Sequence, residues 1–435
     1  MARPLPLPVT VSDCNPIDLT SVSTVCEAGD QACWATLSSV LHDADCNDAQ
    51  EIHIESEPDC LRLRFRSAFE LIEHRVEERK AYDDAMSLLK THLWSDNENT
   101  NNIRGWFLFA VHSENTLFQL DVCRGSFGES YLFTQLNDSK LPPSKLEDIG
   151  LGRHQIVKIK TALEAKQGLI VIASDVVQAR RRTARAMTQH LVSPDKKIIV
   201  AEPLIHPFLP RTIQMGMDFP ASVNQNHDWQ SLSQLGADVI TTTQTLDIEY
   251  ARNVVNIACE QTLVVTGIAC SSASEALGKL LGLGVRSETL AHCLNTIVTQ
   301  HRVRCLCPYC RHTISPDDAA TAWLATHSPM HAGNVNDWLR NRMRSSFSDA
   351  PGCDKCNQTG FRSWLDIFDV LTVGDELRDT LYDSDYQYAF SQLSQQSTLS
   401  TSLLRLAQEG IISLHEAIRV MGLPFPGNED TQPRH

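Results

Sequence analysis

Long apolar runs are missing from this sequence of 435 residues. A helix that crosses a bilayer needs about 20 consecutive apolar residues, and no segment approaches that length. The N-terminus, Met1–Thr10, holds one arginine and several prolines but not the apolar core of a signal peptide. We therefore expect a chain without a membrane span that stays in the cytosol.

An excess of positive charge is also missing. Lys and Arg total 38 and Asp and Glu total 53, which makes the net charge −15. A chain of this charge repels phosphate backbones, so we expect no nucleic acid among its partners. Its hydrophobic content of 42% is enough for about two or three domains with ordinary cores.

The residue pattern predicts an order of segments along the chain. Alternating strands come first, and short continuous apolar runs separated by helical segments follow from residue 151. Continuous apolar strands between helices are typical of a parallel sheet buried on both faces. The predicted segments are a lead with one short helix (1–47), a small α+β domain (48–150), an α/β core (151–304), a cysteine insert (305–360), a helical C-terminal part (361–422) and a disordered tail (423–435).

The start of the small domain has the pattern of a hairpin. In Glu51–Glu55 polar side chains alternate with isoleucines, and in Leu61–Arg66 arginines alternate with apolar residues. A period of two predicts two strands, each with one apolar and one polar face. We expect the acids of the first strand to pair with Arg62, Arg64 and Arg66 across the hairpin.

Cysteine is abundant, with 14 residues, and in a reducing cytosol this favours metal ligands and buried thiols over disulfides. Two Cys-x-x-Cys pairs are present, Cys307 with Cys310 and Cys353 with Cys356. Together they supply four thiolates, which suit tetrahedral zinc with no open position. Such a closed site is structural, so we expect zinc binding to be part of folding. The alternative is four unrelated buried thiols.

The residues around these cysteines resemble the tetracysteine region of the bacterial motor ATPases of type II secretion and type IV pilus extension. The retraction branch of that family lacks the zinc insert, so the resemblance implies the extension and secretion branch. It continues over about residues 48–422, in the same order as in the family. The similar stretches are Glu51–Glu55, Leu61–Arg66, Gly128–Glu129, Ser272–Ala276, Leu280–Val285, Arg302–Cys310, Gly352–Arg362 and Ser413–Ala417.

The resemblance implies an α/β fold with four parts. These are a small N-terminal α+β (PAS-like) domain, a RecA-like core of the P-loop NTPase type, a tetracysteine zinc insert and a C-terminal helical bundle. It also implies a hexamer whose partner is an inner-membrane platform protein. We expect a homo- or hetero-hexamer, the latter with an active paralogous ATPase, held peripherally at the inner membrane through partners. The family's additional N-terminal docking domain has little room in residues 1–47, so we expect it to be missing or much shortened.

The phosphate-binding motif of the family is changed at every signature position. A P-loop has the pattern G-x-x-x-x-G-K-[ST] after a strand, and the strand Gly168–Ala173 aligns it with the eight residues that follow. Ser174 and Ala179 stand at the glycines, Arg180 at the lysine and Arg181 at the Mg²⁺-binding hydroxyl. The β-branched Val177 is also poorly suited to the backbone of such a loop. We therefore expect no ordinary ATP–Mg²⁺ site.

The other catalytic motifs of the family are changed as well. Gln244 stands where the family has the glutamate that polarises the attacking water, and a glutamine cannot act as a general base. Thr262 and Ala269 stand at the two histidines of the family's His box. Glu202 keeps one carboxylate of the acidic box. With the P-loop also lost, we expect no ordinary ATP hydrolysis.

Two arginine clusters leave alternatives open. Arg180 and Arg181 begin a series of arginines at the start of a helix, where cations oppose the helix dipole. A solvated basic face or a protein salt bridge is favoured over an anion site there. The family has arginines near a subunit-boundary nucleotide, so Arg62, Arg64 and Arg66 are candidates for that role, although the ion-pair ladder is favoured.

The sequence thus predicts a non-hydrolysing component of a secretion or pilus-assembly machine, structural or regulatory, with structural Zn²⁺ as its cofactor. The first alternative is a functional secretion or pilus ATPase with an unconventional nucleotide site. The second alternative is a protein-binding adaptor that reuses the scaffold.

Overall fold

The structure is a computed structural model. It describes residues 17–18, 30–47, 49–67, 70–93, 102–111, 114–135, 145–202, 209–216, 232, 234–243, 248–314, 347–356 and 358–421. The predicted tail, 423–435, and Gln244 lie outside these residues. The described residues form two compact units, the first of residues 17–135 and the second of residues from 145 on, except that Glu202, Met215 and Gly216 are grouped with the first. None of the described helices is long and apolar enough to cross a membrane.

The first unit is a seven-stranded sheet with two helices. Its strand order is β1-β5-β6-β7-β2-β3-β4. The elements are β1 (Ile17–Asp18), α1 (Asp30–Cys46), β2 (Glu51–Ser56), β3 (Leu61–Ser67), β4 (Glu70–Glu77), α2 (Arg79–Leu93), β5 (Asn102–Val111), β6 (Glu114–Gly125) and β7 (Gly128–Gln135).

The alternating pattern of the sequence sets the core of this unit. β2 and β3 form the predicted antiparallel hairpin, with Glu51 opposite Arg66 and Ile52 opposite Phe65. The apolar members of both strands are buried and share a core with α1 and α2. From α1, Trp34 reaches the core and stacks on Phe109, with ring centroids 6.4 Å apart. The helix that was predicted within residues 1–47 is therefore part of the core of this unit.

The second unit is built on a seven-stranded sheet with the order β10-β9-β11-β12-β8-β13-β16. Its strands are β8 (Gly168–Ala173), β9 (Ile198–Glu202), β10 (Ile213–Gly216), β11 (Val239–Thr242), β12 (Leu263–Ile268), β13 (Leu294–Leu306) and β16 (Phe361–Thr372), and β14 (His312–Ile314) pairs with β15 (Phe347–Asp349) in a small separate sheet. Its helices are α3 (Arg153–Leu163), α4 (Val177–Leu191), α5 (Ile248–Cys259), α6 (Ala273–Gly282), α7 (Ser287–Cys293), α8 (Asp375–Tyr382), α9 (Tyr386–Gln396), α10 (Leu399–Gln408) and α11 (Leu414–Val420).

Parallel pairing dominates the middle of this sheet. β9, β11, β12, β8 and β13 pair in parallel, each with its neighbour in that order. Every residue of β8 and β12 is buried, as continuous apolar runs predict for a sheet covered on both faces. Ligands of such sheets bind beyond the carboxyl ends of the strands. That edge carries Ser174, Thr243 and Ala269, which directly follow β8, β11 and β12.

One prediction for the C-terminal part was wrong. The sequence predicted helices over 361–422, but Phe361–Thr372 forms β16, which pairs antiparallel with β13 along almost its whole length. The segment Ile367–Leu371 is buried, and pairing with β13 satisfies its backbone hydrogen bonds. Helices begin only at Asp375, where α8 starts.

Candidate nucleotide site and metal centre

The segment that aligns with a P-loop is largely helical. The chain leaves β8 at Ala173 and enters α4 at Val177, so the first turn of the helix occupies residues that a P-loop keeps as loop. None of the residues from Ser174 to Arg181, all of which the structure describes, has a positive φ. A phosphate cradle needs inward-facing N–H groups and a backbone that glycine permits. None of these eight residues therefore uses the left-handed backbone that the glycines of a P-loop permit.

The Arg180 side chain is buried, with 1% of its surface exposed, and is the largest fully buried side chain of the described residues. Its Nη1 donates a hydrogen bond to the backbone carbonyl of Ser174. Of the alternatives that the sequence left open, a solvated basic face is wrong for this residue. The neighbouring Arg181 is only partly buried, and Val177 keeps 40% of its surface exposed.

The alternative of a protein salt bridge is correct for Arg182, which follows Arg181 in the same series of arginines. Arg182 donates to the Asp148 carbonyl at 3.2 Å, and its Nη1 lies 3.8 Å from the carboxylate of Asp366. Asp366 also accepts two hydrogen bonds from Arg302, at 2.9 and 3.0 Å. The carboxylate of β16 thus lies between arginines of α4 and β13, and sequence reasoning missed it because residues 361–372 were expected to be helical.

Of the remaining catalytic positions that the structure describes, Ala269 and Glu202 lie at the carboxyl edge of the sheet and Thr262 lies at the opposite edge. Ala269 follows β12 at its carboxyl end, whereas Thr262 precedes the same strand and donates to the Ala237 carbonyl at 3.1 Å. Glu202 is the buried last residue of β9. Gln244 lies outside the described residues. Thr262 and Ala269, which stand at the family's two histidines, are therefore at opposite edges of the sheet.

The loop after β12 satisfies its polar groups internally. Ser272 caps α6 by accepting a hydrogen bond from the Glu275 N–H at 3.1 Å. The Glu275 carboxylate accepts from both the N–H and the hydroxyl of Ser271 and pairs with Lys279 at 2.9 Å. Lys279 and Ser271 lower the pKa of Glu275 to about 2. Lys279 also donates a hydrogen bond to the Ala269 carbonyl. The ammonium group of Lys279 is thus engaged both with Glu275 and with the loop after β12.

The three hairpin arginines are paired within their own unit. Arg66 Nε lies 2.8 Å from Glu51, and Arg64 pairs with Glu55. Arg62 bridges two carboxylates, Glu57 at 2.7 Å and Glu73 at 2.6 Å. About a third of each of these arginine side chains is exposed. The expected cross-strand ion pairs are therefore present for Arg64 and Arg66, whereas Arg62 pairs with the turn and with β4 and not with an acid of β2.

The four predicted zinc ligands meet in one cluster. Their sulfur atoms all lie within 4.8 Å of one another. Cys307 and Cys353 are 3.9 Å apart, Cys310 and Cys356 are 3.9 Å apart, and Cys353 and Cys356 are 3.8 Å apart. Zinc at about 2.3 Å from four sulfurs at tetrahedral corners requires sulfur–sulfur distances of about 3.8 Å. The donor set and its spacing fit a closed zinc site of four thiolates.

The sulfur of Cys356 accepts hydrogen bonds from the backbone. The N–H groups of Cys353 and Gly360 point at this sulfur, at 3.2 and 3.3 Å. Burial alone would raise the pKa of the Cys356 thiol, but these donors and the neighbouring thiols outweigh burial and lower it. Gly360 has φ +77°, and a Cβ there would collide with the Ala350 carbonyl. Glycine is thus required where the chain turns past the ligands.

Solved structures identify the fold. The ATPase DotB of Legionella pneumophila matches with a TM-score of 0.59 and 13% identity, over 89% of this chain and 95% of that chain. The pilus retraction motor PilT with bound ADP matches with a TM-score of 0.58 and 14% identity, over 89% of this chain and 97% of that chain. The fold is therefore that of the secretion and pilus motor ATPases, with a RecA-like core.

The sequence comparison is more specific. The family model described as Type II/IV secretion system protein matches residues 27–419, and the chain belongs to this family. The type II secretion system protein E of Dickeya dadantii is 22% identical over 390 residues, covering 88% of this chain and 74% of the relative. The type IV pilus assembly ATPase PilB of Thermus thermophilus is 20% identical over 397 residues, which is 90% of this chain but only 43% of that relative.

Proposed function

We propose that the protein is a non-hydrolysing component of a type II secretion or type IV pilus-assembly machine. It acts structurally or as a regulator of an active hexameric motor. The observation that carries this proposal is the start of α4 at Val177, which makes five of the eight residues of the P-loop segment, 177–181, helical. Without a loop of inward-facing N–H groups there is no cradle for the β- and γ-phosphates.

The changes at the other catalytic positions support the same function. Ala269 and Thr262 have no imidazole, Gln244 cannot serve as a base, and Arg181 offers no hydroxyl to Mg²⁺. The scaffold around these positions keeps the family's fold. A chain that retains the motor fold without its chemistry is suited to assembly and not to turnover.

We infer that structural Zn²⁺ is held by Cys307, Cys310, Cys353 and Cys356. The cluster lies directly after β13 and directly before β16, the antiparallel pair at one end of the core sheet. Zinc there would tie the ends of these two strands together. Its role in this proposal is to stabilise the fold, since all four positions of a tetrahedral ion are filled by thiolates.

We also infer that the partners are those that the family implies. A homo- or hetero-hexamer, the second with an active paralogous ATPase, would use the small domain and core that this chain retains. An inner-membrane platform protein would hold the assembly peripherally at the membrane. The net charge of −15 supports a protein partner over nucleic acid.

Calorimetric titration with ATP and Mg²⁺, run beside a turnover assay, tests the absence of the enzymatic activity. We expect no saturable heat and no phosphate release from the purified protein. Binding with turnover would show instead an ATPase with an unconventional nucleotide site. A family motor with an intact P-loop, measured in the same buffer, is the positive control.

Co-purification from cells followed by native mass determination tests the assembly. We expect a ring-sized complex that contains a paralogous ATPase or a platform protein. A strictly monomeric protein that recovers neither would overturn the assembly role and favour an adaptor that reuses the scaffold.

A further inference from the structure

We propose that the Arg180 side chain plugs the carboxyl edge of the parallel sheet and takes the place that bound phosphate has in an active P-loop. The plug closes the edge between β8 and β12 from within the chain. This inference rests on the proposed function and deepens it, because a plugged site holds the subunit in one ligand-independent state.

The contacts of Arg180 reach the ends of two neighbouring strands, β8 and β12. Its guanidinium donates to the carbonyl of Ser174, the first residue after β8. Its Cδ lies 3.2 Å from the point where a Cβ on Gly267 of β12 would sit. The same point is 3.1 Å from Cα and from the carbonyl oxygen of Thr243, the first residue after β11. The aliphatic stem of the arginine therefore fills the space beside Gly267, and its head closes on the loop.

The early start of α4 explains why the side chain can reach this space. Side chains of a helix tilt toward its N-terminus, and Arg180 lies in the first turn of a helix that begins at Val177. From there it points back toward Ser174, into the edge of the sheet. In a P-loop the same sequence position carries a lysine that reaches the phosphates. The longer, forked side chain of arginine can hydrogen-bond to the protein itself.

Because the Arg180 guanidinium is buried, the folded chain must hold this charge in a defined position. A buried guanidinium is costly unless hydrogen bonds satisfy it, so its bond to Ser174 holds the head in place. Its volume also completes the packing beside Gly267, near the end of β12. A motor subunit gains stability when nucleotide binds its folded form. This chain has that volume filled already, so neither ATP nor pyrophosphate should raise its unfolding temperature.

Thermal unfolding of Arg180→Ala tests the plug, with Arg153→Ala as the matched control, since Arg153 is an exposed arginine of the same unit. We expect Arg180→Ala to unfold roughly 5–10 °C lower and Arg153→Ala to unfold within about 1 °C of the wild type. Methylguanidinium at about 10 mM should restore part of the loss in Arg180→Ala only, because it binds the vacated space. Methylammonium should restore less, since it lacks the planar fork.

Equal unfolding temperatures for Arg180→Ala and the wild type would overturn the plug. Rescue of the same size in the wild type or in Arg153→Ala would also overturn it. If Arg180→Ala does not accumulate as folded protein, Arg180→Lys is compared with Arg153→Lys, and only the first should lose stability. These results are separate from the proposed function, because wild-type ATP turnover would refute that function whatever the variants show.

A double-mutant cycle with Gly267→Ala gives a second readout. In the wild-type background the new methyl group meets both Thr243 and the stem of Arg180. Beside Arg180→Ala it meets only Thr243, so the loss caused by Gly267→Ala should be smaller there. Equal losses in the two backgrounds would show that Arg180 does not occupy the space beside Gly267.

Discussion

Glu416 and Arg304 are joined by both the backbone and the side chain of the arginine. The Glu416 carboxylate, with no exposed surface, accepts from the Arg304 N–H at 2.9 Å and from its Nε at 3.0 Å. Arg419 donates to the same carboxylate at 2.6 and 2.9 Å. The pair links α11 to β13, the strand that leads into the cysteine cluster.

Glu416→Gln should destabilise the protein by about 3 kcal/mol at pH 7, because it leaves two partly buried guanidiniums uncompensated. Burial alone would raise the pKa of Glu416, but the hydrogen bonds from Arg419 and Arg304 outweigh it and lower the pKa. A lowered folded pKa gives stability that is present above the unfolded value of about 4.3 and is lost as the pH falls through the folded value. The stability gap between wild type and variant, measured by urea unfolding, should therefore shrink below about pH 4.

Glu409→Gln is the matched control for that measurement, because Glu409, the residue directly after α10, pairs with Arg405 and both side chains are exposed. It should change stability by less than about 0.5 kcal/mol at any pH. A gap for Glu416→Gln that stays constant down to about pH 3 would show that its ionisation does not contribute.

Cys353→Ser should release the metal and unfold the region around the cluster. A closed site of four thiolates contributes its binding free energy to folding, and serine is a poor ligand for zinc. Elemental analysis should give about one zinc per wild-type chain and almost none for the variant. Cys123→Ser, at an exposed cysteine of the first unit, is the control. A folded wild-type sample with no zinc would contradict this prediction.

Gln244→Glu should not create ATP turnover. A restored carboxylate could act as a base, but the helical start at Val177 would still leave no cradle for phosphates. The measurement is phosphate release with Mg²⁺ under the conditions of a family motor. Turnover in this variant would show that the P-loop segment can adopt a binding conformation.

Turnover in the wild type that Arg180→Ala abolishes would show that Arg180 replaces the lysine.

Arg66→Ala should cost less than about 1 kcal/mol, since its pair with Glu51 is about a third exposed and solvent screens it. The check is the midpoint of chemical unfolding, compared with Arg124→Ala, an exposed arginine of the same unit that lies 3.4 Å from Glu129. A much larger loss for Arg66→Ala alone would mean that the ladder is a main source of stability for this unit.

The parts of the fold that could be predicted were those with a simple local pattern. The hairpin of β2 and β3 followed from strict alternation, and β8 was predicted at Gly168–Ala173, where the structure has it. The two close cysteine pairs, Cys307 with Cys310 and Cys353 with Cys356, followed from their spacing, because each Cys-x-x-Cys turn brings its two sulfurs close together. In these cases the information lies within a few neighbouring residues.

The parts that were missed depend on distant residues. β16 carries no alternation over its buried segment, and only the pairing with β13 makes Phe361–Thr372 a strand.

Arginine is usually exposed, so nothing local to Arg180 indicates its burial. That burial depends on the space beside Gly267, which belongs to the distant strand β12. The sequence offered one signal, a lone glycine in the apolar strand Leu263–Ile268, which marks a close approach by another group.

The place of β8 in the sheet has a consequence for synthesis on the ribosome. Both of its neighbours, β12 and β13, lie later in the chain. At about 5–20 residues per second, the roughly 90 residues that separate β8 from β12 take about 5–20 s to translate. For that time an apolar strand has emerged from the ribosome without its final partners. A nascent chain arrested before Leu263 should thus bind holdase chaperones and be degraded, whereas one arrested well after Thr372 has every strand that the sheet requires.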